Sequence, residues 1–447
     1  MSLQVHLRFP TDFRSVLQAL VLLSASTAIV LLYQWQSHVH RKKSNAETVV
    51  AVDPVELNSI PGPLEFRESH VFKKGPTTEH WNLLALHRQY GPVVRIGPTH
   101  VSVADFDSVN AIYRQATTFL KTDWYDLFTE KGKGVIFNIR NKELHAKRRR
   151  IVSHGFSLSS TRVMLPFIRT KALHMVAQLA ESSEAQDAVD DENREDDPSE
   201  LLSRIIIAKD PATGHAMDFQ TLCMEARGFI LAASDTTANT LTMAVNHISR
   251  SQSVWTQLHR ELKEAIPSME ALQDSLQDAS SYYTQLPFLV ACIKETYRLS
   301  PAIAKLLPRQ VPNRGCSLAG HHVPAGTIVG TSIFVQHRWD EDLWGPSDYA
   351  DEFHPERWLE SSQSSEAEVA KLKKMNSFLT PFSQGTRACL GRHIADMELH
   401  VVLATLFRFY QPVHVVTPVE EMKEQGFFIS GPRGGKCLIQ FKSVELQ

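Results

Sequence analysis

The segment that most constrains this chain is Phe-Ser-Gln-Gly-Thr-Arg-Ala-Cys-Leu-Gly at residues 382–391. Cys389 lies just ahead of a long stretch with the apolar spacing of a helix. Free backbone N–H groups and the positive end of the helix dipole are therefore expected to stabilise its thiolate. Gly385 and Gly391 let the backbone turn sharply and approach a flat ligand closely. Any fold of this chain must present a cysteine at a tight turn before a helix.

Two further side chains of the segment indicate what the cysteine binds. Arg387, two residues before Cys389, offers a guanidinium fork to a carboxylate, and Phe382 supplies an aromatic ring that keeps water from the sulfur. A protected anionic sulfur beside a large planar acid is what ligation of haem iron by a thiolate requires. The alternative is a buried, inert cysteine in a glycine-containing turn.

Apolar periodicity predicts a helix-rich fold with small sheets. Spacings of three and four residues predict helices at 142–156, 161–180, 220–249, 288–299 and 390–409. Short strands are predicted at 93–97 and 101–104, with Val-Pro-Ala-Gly-Thr at 323–327 as a turn between two more. Nothing marks a second independent unit, so we expect a mainly α (α+β) fold in one large domain.

The amino-terminal region has the features of a membrane anchor. The uncharged, mostly apolar stretch at 16–33 reaches about 27 Å as a helix, enough for the thin bilayer of the endoplasmic reticulum. Basic residues at 41–43 favour a cytosolic location for everything that follows, and a cleaved signal peptide is the alternative. We expect a lumenal tail at 1–15, an anchor at 16–35, a linker at 36–59 and a catalytic domain at 60–447.

Charge and cysteine content exclude several classes of protein. The 47 Lys and Arg residues nearly balance the 49 Asp and Glu residues, which argues against nucleic-acid binding because that function needs a basic surface. The 5 cysteines are widely spaced and odd in number, so neither a disulfide framework nor a CxxC zinc site is indicated. A reducing compartment is the simplest interpretation.

The segment 382–391 resembles the haem-binding signature of the cytochrome P-450 superfamily, the haem-thiolate monooxygenases. Other segments resemble the family's elements in the family's order: the oxygen-binding helix at 232–237, the E-x-x-R helix at 295–298 and the P-E-R-[FW] element at 355–358. The resemblance covers residues 60–447. It implies a cytochrome P-450 fold with haem b as the cofactor and Cys389 as the axial ligand of the iron.

By resemblance, Glu295, Arg298 and Arg357 form a structural triad that braces the loop leading to Cys389. Glu295 and Arg298 share a helix face and can pair at i and i+3. Such a pair is favourable in the interior only if it is fully hydrogen-bonded. A solvated surface pair is the alternative for an E-x-x-R taken on its own.

Asp235 and Thr236 lie inside the long predicted helix, and we expect them to be the catalytic residues that handle protons. Cleaving dioxygen needs two protons, and a hydroxyl with an acid behind it can relay them. The local alternative is a Thr236 hydroxyl that bonds back to the carbonyl of Ala232. The family usually has glycine where this chain has Ala233, and the methyl group would narrow the oxygen groove.

The basic segment at 145–150 carries His145 and Arg149 four residues apart on one helix face, from which both could reach a haem propionate. Arg309 resembles another propionate ligand of the family. The remaining charges are expected to face outward, as a solvated face or as a docking site for an acidic reductase. These are Lys147, Arg148 and Arg150.

The stretch between residues 157 and 235 is shorter than the family's pattern. The family normally fits three more helices here, E, F and G, of which the last two form the lid over the substrate. The run at 181–200 contains ten acidic residues, cannot bury enough apolar surface to fold, and is expected to be a disordered insert. A skipped exon, a degenerate copy or a functional variant with an open pocket would each explain the gap.

Together these features predict a haem-dependent monooxygenase that inserts one oxygen atom from O2 into an apolar small molecule, in fungal specialised metabolism or detoxification. Electrons would come from an NADPH-dependent flavoprotein reductase or a cytochrome b-type donor, at the lipid of the endoplasmic reticulum membrane. The resemblance places the pocket wall at 121–138, 228–237, 302–308 and 427–429. The rivals are a non-catalytic or vestigial haem-binding protein and a reductase-independent isomerase or dehydratase, which would tend to lack the Asp235–Thr236 pair.

Overall fold

Helices dominate the part of the chain that the structure describes. The structure is a computed structural model, and it describes residues 52, 54–67, 79–129, 134–181, 201–268, 284–426 and 428–444. In chain order the helices are α1 (Glu79–Tyr90), α2 (Phe106–Tyr113), α3 (Lys142–Ser153), α4 (Leu158–Arg162), α5 (Leu165–Glu181), α6 (Leu201–Ile206), α7 (Phe219–Arg250), α8 (Gln252–Ala265), α9 (Pro287–Leu299), α10 (Ile333–Gln336), α11 (Glu341–Trp344), α12 (Ser347–Ala350), α13 (Glu366–Phe378), α14 (Arg392–Phe409) and α15 (Val419–Met422). Short 3-10 helices lie at Pro54–Ser59, Leu64–Arg67, Asp123–Phe128, Pro355–Trp358 and Gly385–Arg387.

The strands are short, and among the described residues they form one sheet of five strands and three sheets of two. They are β1 (Val93–Gly97), β2 (His100–Val103), β3 (Leu120–Lys121), β4 (Arg309–Gln310), β5 (Cys316–Leu318), β6 (His321–Val323), β7 (Ile328–Gly330), β8 (Tyr410–Val415), β9 (Glu424–Gln425), β10 (Gly431–Pro432) and β11 (Ile439–Ser443). The larger sheet has the order β1-β2-β7-β4-β3. Its antiparallel β3–β4 pair places Lys121 opposite Arg309, which brings two cations to one edge.

The largest apolar core lies between α5, α7, α8, α9 and α14. Ile168, Leu258, Leu289 and Leu403 are among its buried members, and burying each such side chain contributes roughly 1.5–3 kcal/mol. The long helix α7 begins where the Asp218 side chain accepts a hydrogen bond from the N–H of Thr221. This core fixes α7 and α14 against each other, and these two helices carry the chemistry predicted from the sequence.

The predicted mixture of helices and small sheets is confirmed. Three predicted helices agree with α7, α9 and α14 to within two residues at each end. The helix predicted at 161–180 is instead two helices, α4 and α5, because Pro166 lacks a backbone N–H and suits only the first turn of a new helix. The helix predicted at 142–156 ends at Ser153, since Ser157 leaves the helix to cap α4.

The predicted membrane anchor and most of the acidic run lie outside the described residues. Within the described ranges, no helix is both long enough and apolar enough to cross a bilayer.

Candidate active site

Cys389 lies in a closed loop that leads directly into α14. Its backbone N–H donates to the carbonyl of Phe382 at 2.9 Å, which closes the loop. Two residues in this loop, Ser383 and Gly385, have positive φ angles of 57° and 68°. Cys389 is exposed as a residue, although many protein atoms lie around its sulfur.

The two glycines of the loop have different roles. A Cβ on Gly385 would lie 2.3 Å from the carbonyl oxygen of Tyr113, so this position needs glycine both for its conformation and for a close approach to α2. Gly391 has an ordinary φ of −77°. Within 4 Å, a Cβ on Gly391 would meet only the sulfur of Cys389, at 4.0 Å. The sharp turn predicted for both glycines is therefore present at Gly385 alone.

Neighbouring groups act on the Cys389 thiol in opposite directions. Burial of the sulfur among surrounding atoms raises its pKa, whereas the N–H groups of Gly391 and Arg392 and the charges of Arg149 and Arg392 lower it; burial prevails. The helix start thus stabilises the thiolate as predicted, but not enough to offset desolvation. A bound metal cation would complete the stabilisation, because coordination deprotonates a thiol outright.

Phe382 and Arg149 support the cysteine loop from two sides. The Phe382 ring packs edge-on against Tyr297 of α9, with 5.2 Å between ring centroids. Arg149 of α3 donates from Nη1 to the carbonyl of Ala388 at 2.9 Å. Arg149, which was expected at a propionate, is therefore held beside the sulfur by the backbone of the loop.

Three cationic side chains, Lys121, Arg309 and Arg387, lie close together near the cysteine loop, and His145 lies among them. We call these four residues the cation cluster. Arg387 donates to the carbonyls of Ile139 and Arg140 at 2.6 and 3.2 Å. Arg309 donates to the Tyr125 hydroxyl at 2.6 Å, and Lys121 donates to the carbonyl of Phe137. All these acceptors are neutral. None of the ion pairs among the described residues involves Lys121, Arg309 or Arg387.

The pKa shifts of Lys121 and Arg387 arise from burial and like charges, and no carboxylate is among the groups that oppose them. Burial lowers the pKa of Lys121 well below its ordinary value, and Arg309 and Arg387 lower it further. Burial and Arg309 lower the pKa of Arg387 to about 10. Burial, followed by Arg387, Lys121 and Arg149, lowers the pKa of His145 to about 3, so its ring is neutral.

The cation cluster and the sulfur together fit haem. Buried cations are stable only when they are paired, and a haem group brings two carboxylates to a thiolate-ligated ring. The predicted residues Arg387, His145 and Arg309 are brought together, and Lys121 joins them without having been predicted. The only sequence signal for Lys121 was its being the single cation in the segment 119–128, which also holds two aspartates, and its place opposite Arg309 depends on strand pairing.

Glu295, Arg298 and Arg357 form one buried network. Arg298 donates from Nε and Nη2 to the two Glu295 oxygens at 2.8 Å each, and Arg357 Nε donates at 3.0 Å. The His354 N–H and Trp358 Nε1 complete the shell. Burial alone would raise the pKa of Glu295, but the two guanidiniums and the His354 N–H bring it below its ordinary value. The solvated alternative is excluded because the Glu295 and Arg298 side chains are 0% exposed.

Asp235 and Thr236 lie in an unbroken stretch of α7. The Thr236 hydroxyl donates to the carbonyl of Ala232 at 2.6 Å, which is the local bond expected of a mid-helix threonine. Asp235 and Ala233 are exposed. The structure therefore places the two predicted catalytic side chains on one accessible turn of α7, with the threonine bonded to its own helix.

Lys147 and Arg150 of α3 are exposed, whereas Arg148 turns inward, contrary to the prediction. Arg148 pairs with Glu225 of α7 at 2.5 Å, and Arg150 pairs with Asp210 at 3.0 Å. Glu225 is fully buried, and both of its oxygens also accept from the backbone N–H of Ile136, at 2.9 and 3.1 Å. The inward pairing arises because α7 offers a buried carboxylate that sequence spacing within α3 does not reveal.

Comparison with known proteins identifies the family. A model of the Cytochrome P450 family matches residues 184–438, more than half of the chain. The chain belongs to the cytochrome P450 family. The predicted family is confirmed.

Individual relatives are fungal monooxygenases. This P450 is 26% identical to benzoate 4-monooxygenase bphA of Aspergillus niger over 438 positions, covering 73% of this chain and 81% of the relative. It is 30% identical to cytochrome P450 monooxygenase apf7 of Gibberella fujikuroi over 274 positions, covering 60% and 49%. It is 26% identical to cytochrome P450 monooxygenase ORF11 of Penicillium roqueforti over 448 positions, covering 79% and 89%.

These comparisons confirm the predicted class of enzyme. The protein is a haem-dependent monooxygenase, an oxidoreductase of the fungal P450 type that takes electrons from a reductase. The haem cofactor predicted from residues 382–391 is the cofactor of the family.

Proposed function

We propose that this P450 is a membrane-anchored enzyme that oxidises an apolar small molecule at a haem held by Cys389 and the cation cluster. The observation that carries this proposal is an exposed cysteine two residues from Arg387, which with Lys121 and Arg309 forms a group of cations that have no carboxylate partner among the described residues. Haem would supply the iron at which dioxygen is activated. Cys389 Sγ would ligate that iron, and its electron donation favours O–O cleavage.

The residues of the cation cluster would bind and orient the propionates. Arg387 and Lys121 already lie side by side around the Phe137–Arg140 backbone, so little rearrangement is needed for charge-assisted hydrogen bonds to a carboxylate. His145 would contribute a neutral N–H donor. Phe382, packed against Tyr297, would limit water at the sulfur side.

Asp235 and Thr236 would supply the protons that the oxygen chemistry of a bound haem requires. The Thr236 hydroxyl, which donates to the carbonyl of Ala232, would donate instead to a reacting oxygen atom by rotating about its side-chain bond. The accessible Asp235 would resupply the proton from solvent. The peroxide that a Thr236→Ala variant releases per NADPH consumed tests this proton role.

We infer that helices E, F and G of the family are absent from this chain. The alignment with bphA uses 438 positions but draws on only 73% of this chain, so the relative contains a long stretch with no counterpart here. Large apolar side chains also stand exposed on α4 to α7 and on the segments beside these helices, around the short stretch: Leu158, Val163, Phe167, Ile206, Ile207, Phe219 and Ile230. A missing lid would leave such a surface uncovered.

Sequencing the transcript across codons 157–200 tests this inference. A longer transcript that restores three helices identifies a skipped exon. A transcript that matches the present chain leaves a degenerate copy or an enzyme with an open pocket, and turnover with a reductase separates these two.

The location and partners follow from the amino terminus. The apolar stretch at 16–33 and the basic residues at 41–43 support an anchor at 16–35 in the endoplasmic reticulum, with the domain at 60–447 in the cytosol. An NADPH-dependent flavoprotein reductase would supply electrons there. Since Arg148 and Arg150 are paired within the chain, the basic face of α3 gives only weak support for the docking site of that partner.

A carbon monoxide difference spectrum of the reduced, full-length protein tests the haem-thiolate assignment. Wild type and a Cys223→Ser control, which changes another exposed cysteine, should show a thiolate-type band. Cys389→Ser should lack it. A band that persists in Cys389→Ser would contradict the proposal.

A vestigial haem-binding protein is the second candidate function, and the exposed apolar surface on α4 to α7 favours it. The two candidates differ in turnover. NADPH oxidation with a fungal reductase that yields a hydroxylated product supports the enzyme, whereas haem uptake with release of peroxide alone supports the vestige.

A further inference from the structure

Four aromatic side chains meet beside the cation cluster and form what we call the aromatic wall: Trp124, Phe128, Phe137 and Phe428. The centroid distances are 5.1 Å for Trp124–Phe128, 5.4 Å for Phe128–Phe137 and 5.5 Å for Phe137–Phe428. The ring is closed by Trp124–Phe428 at 5.6 Å. These side chains come from three separate chain segments, so their meeting is a feature of the tertiary structure.

The aromatic wall lies between the cation cluster and α7. Lys121 Nζ is 4.8 Å from the centroid of Phe137. The neighbouring Val135 approaches α7 so closely that a Cβ on Gly228 would lie 3.2 Å from it. On the other side, Gly431, three residues after Phe428, lies against Asn239 of α7. Segments next to the wall therefore pack against α7 at Gly228 and Asn239, which lie on either side of Asp235 and Thr236 along the helix.

The aromatic wall is not sealed into the core. Phe137 is 37% exposed, and the other three rings are half-buried. The pairs are edge-to-face or tilted, with interplanar angles from 48° to 86°. Open ring faces and edges of this kind can accept another aromatic ring in the geometries that aromatic pairs prefer.

Resting on the proposed function, we propose that the substrate is a flat, uncharged aromatic molecule that packs against the aromatic wall. An aromatic substrate ring that pairs with one ring of the wall binds about two- to tenfold more tightly than its buried area alone predicts. A saturated molecule of similar size gains only the affinity that comes from its buried area. The two cations of the cluster near the wall donate to neutral groups, Lys121 to the Phe137 carbonyl and Arg309 to the Tyr125 hydroxyl. The wall itself offers a substrate no charged group.

The test compares naphthalene with its saturated counterpart decahydronaphthalene. Equilibrium dialysis of the full-length protein in detergent gives the ratio of their dissociation constants without turnover. The variants are Phe137→Leu and Phe428→Leu, which keep an apolar side chain, and the control is Phe219→Leu. Phe219 is 80% exposed at the start of α7, so this control loses an aromatic ring outside the wall, and dialysis against the same detergent without protein corrects for partition of the probes.

Wild type and Phe219→Leu should share the same preference for naphthalene, and each wall variant should reduce that preference about two- to tenfold. A ratio that is the same in all four proteins overturns the inference. The carbon monoxide difference spectrum of the same preparations tests the haem-thiolate assignment independently of the substrate class. A thiolate band with no wall-dependent preference refutes only the aromatic substrate, whereas a wall-dependent preference without the band supports that substrate class and refutes only the haem-thiolate assignment.

Discussion

Replacing Glu225 with alanine should destabilise the protein by about 3 kcal/mol, although this carboxylate touches neither the cysteine loop nor the cation cluster. Its two oxygens accept from the Ile136 N–H at 2.9 and 3.1 Å and from Arg148 Nη1 at 2.5 Å. Each buried donor left without a partner costs about 1–3 kcal/mol. Breaking a buried ion pair costs about 3–5 kcal/mol, and the lower end applies because the Arg148 side chain retains 14% exposure and can be partly hydrated.

Glutamine at the same position should cost at least about 1.5 kcal/mol less than alanine. Burial raises the pKa of Glu225 even though Ile136 and Arg148 oppose the shift, so its surroundings tolerate a neutral side chain. The glutamine oxygen still accepts from Ile136, and only the charge opposite Arg148 is lost.

Urea unfolding of wild type, Glu225→Gln, Glu225→Ala and an exposed control, Glu264→Ala, measures these differences. The control should remain within about 0.5 kcal/mol of wild type. An alanine variant as stable as the control would refute the reasoning, as would a glutamine variant as unstable as alanine. The same preparations should show lower haem affinity for Glu225→Ala, since the 134–140 segment that Glu225 holds also provides the carbonyls around Arg387.

Four further outcomes are expected. Since the pKa of Glu225 is raised in the folded protein, wild type should lose stability relative to Glu225→Gln as pH rises from about 4.5 toward that folded pKa, and the difference should then level off. Urea midpoints measured across this pH range test it, and midpoints of the two proteins that change in parallel with pH would contradict it. Glu295→Ala should cost about 3–5 kcal/mol, because it strands two buried guanidiniums; thermal unfolding near wild-type temperature would contradict this. Lys121→Ala should weaken hemin binding about tenfold or more in a spectral titration, since a charge-assisted hydrogen bond contributes about 1.5–3 kcal/mol, whereas the exposed control Lys263→Ala should bind as wild type. Thr236→Ala should release more peroxide per NADPH consumed with little change in stability, and unchanged coupling would reject its proton role.

Local chemistry made the cysteine loop predictable. A cysteine before a helix, glycines around it and an arginine two residues earlier lie within ten residues of sequence, and the structure keeps them together in one closed loop. The long helices were predictable for a related reason, because their apolar spacing reports the packing of α7, α9 and α14 in the core.

Contacts between distant segments were not predictable in the same way. Lys121 reaches Arg309 only through the β3–β4 pairing, and Arg148 turns inward only because Glu225 lies buried on α7. Arg148 and Arg149 point about 100° apart because they are consecutive residues of the helix α3. Their spacing does not predict which neutral or charged group each side chain contacts. The aromatic wall likewise needs three segments that strand and helix packing bring together.

X-ray absorption at the iron edge tests the central claim most directly, on the full-length protein loaded with hemin. The account predicts one sulfur neighbour at the iron in wild type and in Cys223→Ser, and none in Cys389→Ser. An iron with only nitrogen and oxygen neighbours in wild type, or a sulfur neighbour that survives in Cys389→Ser, would contradict it.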